Sequence, residues 1–60
     1  MELETYFEEV IDELVSRGLD TLEAIDVVSD WGGQGFIEAG FDKHQDVEDL
    51  VDELLNKYNN

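Results

Sequence analysis

Cysteine is absent from the 60 residues, which excludes disulfide staples and thiolate metal sites. Basic side chains are nearly absent too: Arg17, Lys43 and Lys57 are the whole complement. The longest run without charge, Trp31 to Ile37, falls far short of the roughly 20 apolar residues of a membrane span. No charged-then-apolar leader follows Met1, so the expectation is a cytoplasmic protein. Histidine occurs once. His44 has no second histidine or cysteine to share a metal with, and Ser16 and Ser29 have no histidine at a spacing suggestive of a nucleophilic triad. Carboxylates are so many that their pairing is not diagnostic, and a chain this short leaves little room for the cleft that general acid–base work requires. No catalytic residue, metal ligand or cofactor is therefore expected, and the chain reads as a binding protein rather than an enzyme.

What is present is negative charge. Seventeen acidic residues give a formal net charge of −14. Such a balance accompanies disorder when apolar residues are scarce. Here Leu, Ile, Val and Phe make up 19 of 60 residues, above the roughly 20% level below which chains stay unfolded, and they are patterned. A single folded domain over residues 1–60 is expected, with a margin of only a few kcal/mol.

The pattern is helical throughout. Leu3, Phe7, Val10, Ile11, Leu14 and Val15 form one stripe of a first helix over about Glu4 to Arg17, with Thr5 and Glu8 as a capping box. Gly18 suits the left-handed position that ends it, with Leu19 folding back. A second helix runs from about Thr21 to Asp30, capped by Asp20 or Thr21. Its apolar residues cover more than half the circumference, as in a central helix touched on two sides. Gly32, Gly33 and Gly35 then predict a loop, since each glycine costs a helix about 1 kcal/mol. Val47, Leu50, Val51, Leu54, Leu55 and Tyr58 stripe a third helix over about Lys43 to Lys57, with Asp42 and Gln45 as its capping box. The prediction is all-α: a small three-helix bundle with a Gly-rich loop between helices 2 and 3.

Residues 30–41 resemble a degenerate calcium loop of the EF-hand kind, with Asp30, Gly35 and Ile37 at matching positions. Gly32 and Phe41 stand where an acidic ligand and the closing bidentate Glu belong, so no metal binding is expected. Trp31, Phe36 and Phe41 are of the types that anchor interfaces, with capping of the small core as their structural alternative.

The acids fall opposite the apolar stripes. Glu4, Glu8, Glu9 and Asp12 back the first helix, and Asp46, Asp49, Asp52 and Glu53 the third. Seven like-charged pairs four residues apart lie within or beside the predicted helices, at about 0.2–0.5 kcal/mol each. They are Glu4–Glu8, Glu8–Asp12, Glu9–Glu13, Asp26–Asp30, Asp42–Asp46, Glu48–Asp52 and Asp49–Glu53. Stability alone would favour a mixed-sign surface. Duplex DNA carries one charge per about 1.7 Å, so 14 charges correspond to roughly 24 Å of duplex, close to the diameter of a compact chain of this length.

The expected function is therefore mimicry of nucleic acid. The protein would be a phage or mobile-element inhibitor that occupies the basic surface of a host defence or DNA-processing protein, in the manner of anti-CRISPR, antirestriction or nuclease inhibitors. It would act in the host cytoplasm, itself binding neither nucleic acid nor membrane. The eight acids above, with Trp31 and Phe36, are the expected contact residues, and a homodimer is compatible with the pattern. Two alternatives remain: adaptation to high salt, and a helical adaptor binding its partner through the Trp31–Phe41 aromatic patch, where the acids serve solubility and steering.

Overall fold

The computed structural model describes residues 2–31 and 33–58, with positions 30 and 31 described by backbone alone. Its described residues are helical and contain no strand. α1 spans Leu3–Ser16 and α2 spans Thr21–Asp26, the latter running on as a π-helical turn over Val27–Trp31. α3 spans Gly33–Asp42 and α4 spans Val47–Tyr58.

α1 starts at Leu3, within a residue of the start the sequence pattern gives and early enough to leave Thr5 inside the helix. Glu2 is its N-cap residue, in extended conformation and making no side-chain cap bond, so the Thr5–Glu8 capping box does not form. Its end is as expected. Gly18 takes φ 106°, its N–H bonds Val15 O, and Leu19 N–H bonds Leu14 O, the two bonds of a Schellman motif. At the start of α2, Asp20 is the cap, its carboxylate accepting from Thr21 N–H at 2.9 Å.

From Gly33 onward the expected Gly-rich loop is instead a helix, and Gly32 lies outside the described residues. Gly33 opens α3 at φ 72°, a value glycine takes without penalty, and the backbone stays helical to Asp42. The propensity cost of the glycines is offset by burial that composition does not reveal. Ile37 is fully buried and Phe36 and Phe41 pack partly against the core, and tertiary burial outweighs propensity in short helices. The same segment, being helical, has no calcium-loop geometry.

α3 ends in a second Schellman motif: His44 N–H bonds Phe41 O, and Gln45 N–H bonds Gly40 O. The left-handed residue here is not glycine but His44, at φ 57°. This turn uses Lys43 to Gln45, so the last helix starts at Val47 rather than Lys43 and the Asp42–Gln45 capping box is absent. A left-handed non-glycine residue costs about 1–2 kcal/mol, part of which the extra freedom of an unfolded glycine would cancel. His44→Gly is expected to stabilise the fold by about 0.5–1 kcal/mol, a rise of roughly 3–6 °C in Tm for a domain of this size, read by circular dichroism.

The core consists of Tyr6, Val10 and Leu14 of α1, Ala24, Val27 and Val28, Ile37 of α3, and Leu50, Val51 and Leu54 of α4. No polar or charged residue is buried with them among the described residues. The central element is α1, which touches α2, α3 and α4 and packs most extensively on α4. α2 does not hold that place: Leu22 is 73% exposed and Ile25 41%, so its apolar residues meet the core from one side.

Candidate protein-docking surface along α1 and α4

All eight acids singled out in the sequence (Glu4, Glu8, Glu9, Asp12, Asp46, Asp49, Asp52 and Glu53) are exposed. Packing α1 on α4 divides them. A groove of about 480 Å³ along the seam is lined by Glu9, Asp12, Glu13 and Ser16 from α1 and by Val47 and Glu48 from α4. Asp52 joins this seam one turn on from Glu48, through Arg17. Glu4 and Glu8 do not line the groove, Glu8 standing one turn before Asp12, and Asp49 and Glu53 lie one further step of about 100° around α4. The seam therefore draws on Glu9, Asp12 and Asp52 from the acids expected and adds Glu13 and Glu48. Those two flank the apolar stripes, and their convergence depends on how the two helices face each other, which periodicity does not report.

Arg17 ties the seam together. Its Nε donates to Glu13 Oε2 at 2.8 Å and its Nη1 to Asp52 Oδ1 at 2.7 Å. The i,i+4 partner follows from the sequence, whereas the bridge to α4 does not. The bond to Asp52, then that to Glu13, raises the guanidinium pKa further above its ordinary value, so it stays charged. One cation thus serves two carboxylates here, whereas Glu9, Asp12 and Glu48 line the groove beside it. Of the seven like-charged pairs, five lie within one α-helix, in α1 and α4, and α3 adds an eighth, Glu38–Asp42, to the set. Asp42 and Asp46 are separated by the turn at residues 43–44, and the side chain of Asp30 lies outside the described residues.

Asp46 stands at the far end of α1, just before α4. The Tyr6 hydroxyl donates to Gln45 O at 2.8 Å, fixing α1 to the α3–α4 connection. Its pKa is raised first by burial and then by the charges of Asp46 and Glu9, which places both carboxylates in the field felt by one phenol.

The aromatic residues behave differently from the acids. Phe36 is half-buried, with Lys57 Nζ 4.3 Å from its ring centroid. That contact gives Lys57 a role besides its place four residues after Glu53. Phe41 packs edge-to-face on Tyr6 with centroids 5.4 Å apart and an interplanar angle of 63°. Both rings therefore face neighbours within the fold instead of forming an open aromatic patch. The Trp31 side chain lies outside the described residues. Among those residues no group of three or more His, Cys, Asp or Glu is placed to hold a metal ion, and no helix is long and apolar enough to cross a membrane.

No family model, curated protein or solved structure matches this chain.

Proposed function

We propose that this protein is a non-catalytic inhibitor that mimics nucleic acid, encoded by a phage or other mobile element and acting in the host cytoplasm. It occupies the basic groove of a host defence or DNA-processing protein. The observation that carries the reading is the seam, where Glu9, Asp12, Glu13, Glu48 and Asp52 converge with one cation among them. Charge density supports it. The molecule measures 25 × 21 × 18 Å and carries −14, while roughly 15 charges occupy 25 Å of duplex. Carboxylates one helical turn apart lie about 5–6 Å apart along the axis, a spacing comparable with that of neighbouring phosphates. The outward acids act as phosphate surrogates for Lys and Arg of the target, and association is steered by the summed field.

The test is capture from a bacterial lysate on the immobilised protein at about 0.15 M salt, with and without excess duplex DNA. Nucleic-acid-binding proteins should be retained without DNA and released with it. Capture that ignores DNA would sink mimicry.

One observation favours the adaptor reading in altered form. Phe36 and Phe41 pack inward, but Leu22 and Ile25 of α2 are 73% and 41% exposed, so an apolar partner contact would sit on α2. Its signature is capture that survives both DNA and high salt.

A further inference from the structure

The seam ends in a second feature of different chemistry. A cleft of about 340 Å³ is lined by Tyr6, Phe41, His44, Gln45, Asp46 and Val47. Val47 also lines the acidic groove, so the two openings adjoin. The volume is at the low end for a ligand pocket, suited to one side chain rather than a cofactor.

From the lining of this cleft we propose that it is an anchor site for an arginine side chain presented by the protein partner. The proposal deepens the function above and rests on that reading for its partner. Two groups on its walls match a guanidinium. Phe41 is half-buried and offers the remainder of its ring as a surface on which a planar cation stacks. Asp46 is exposed on the rim and supplies a carboxylate for paired N–H donors. Charge complementarity chooses the occupant: a chain of net charge −14, with Asp46 and Glu9 both acting on the phenol, attracts a cation and repels an anion. Both contact types already occur within the molecule, where Lys57 lies over Phe36 and Arg17 pairs with Glu13 and Asp52.

The experiment is a titration of the ¹⁵N-labelled protein with arginine amide at constant ionic strength, followed by amide chemical shifts. Saturating shifts confined to Tyr6 and residues 41–47 are expected, with Kd of about 1–10 mM. Lysine amide should bind more weakly, lacking the planar fork. Asp46→Asn should weaken arginine amide binding roughly tenfold. Asp46 is exposed, so this variant should remain folded, which its own spectrum checks. Asp26→Asn, the same change of charge at an exposed site on α2, should leave Kd unaltered. Shifts spread over the carboxylates of α1 and α4, or a Kd indifferent to Asp46→Asn, would overturn the anchor site. The titration needs no partner, so its failure beside DNA-competed capture removes the anchor alone. Success without such capture removes mimicry alone.

Discussion

Gly40→Val should lower Tm by roughly 12–24 °C, the equivalent of about 3 kcal/mol in a domain of this size. Gly40 is buried in α3 beneath the side chains of Tyr6, Gln45 and Leu50. A Cβ placed there would lie 2.8 Å from Leu50 Cδ1, 3.2 Å from Gln45 Oε1 and 3.3 Å from Tyr6 Oη. The γ-methyls of valine would reach further into the same space. Leu50 is 1% exposed and Tyr6 3%, so neither neighbour has solvent to retreat into. Tyr6 is further tied by its hydrogen bond to Gln45 O. Overpacking costs about 1–3 kcal/mol and occasionally more, against a total stability of about 3–9 kcal/mol for 60 residues at typical densities. Gly35 supplies the contrast. It lies in the same helix, exposed, with nothing within 4 Å of an added Cβ. Gly35→Ala should therefore show only the gain in helix propensity, about 1 kcal/mol of added stability. Thermal melts of the two variants decide the matter. A Gly40→Val protein that melts with the wild type would mean that Leu50 and Tyr6 do not press on Gly40 this closely.

That contrast also marks how far the sequence can be read. α1, its end at Gly18 and the Asp20 cap of α2 are local events, set by periodicity and by residues whose backbone or side chain has few other uses. α3 is a tertiary event. A run of glycines argues against a helix until Ile37 is seen buried, and until Gly40 is seen packed under the Leu50 side chain with no room for one of its own. His44 hides the next boundary. The left-handed position after α3 is held by a residue that rarely takes it, so the helix pattern reads as starting at Lys43. The surface divides in the same way. That the acids face outward follows from each helix alone. Which of them share a face follows from the α1–α4 packing, and with it the union of Glu13 and Glu48 with Glu9 and Asp12. The reach of Arg17 to Asp52, 35 residues away, is likewise a property of the packed helices.

The division of the acids makes mimicry testable with two variants of identical net charge. One carries Glu9→Lys, Asp12→Lys and Glu48→Lys, all lining the seam; the other carries Glu4→Lys, Glu8→Lys and Asp49→Lys, all outside it. Every substituted residue is exposed, so both variants should fold. The seam variant turns the Glu8–Asp12, Glu9–Glu13 and Glu48–Asp52 repulsions into attractions at about 0.2–0.5 kcal/mol each, so its Tm should if anything rise. Its affinity for the captured partner should nevertheless fall by about 100-fold or more. Replacing three charge-assisted pairings by like-charge opposition costs more than the roughly 2.7 kcal/mol that such a factor represents. The outer variant alters long-range steering by the same amount, so it should slow association and cost no more than about tenfold. The salt dependence of binding should flatten more in the seam variant, because fewer ions are exchanged at the contact. Equal weakening in the two variants would reduce the acids to a diffuse steering charge without a docking face. Unchanged affinity in both would remove the acids from binding altogether and leave the exposed Leu22 and Ile25 of α2 as the surface to examine.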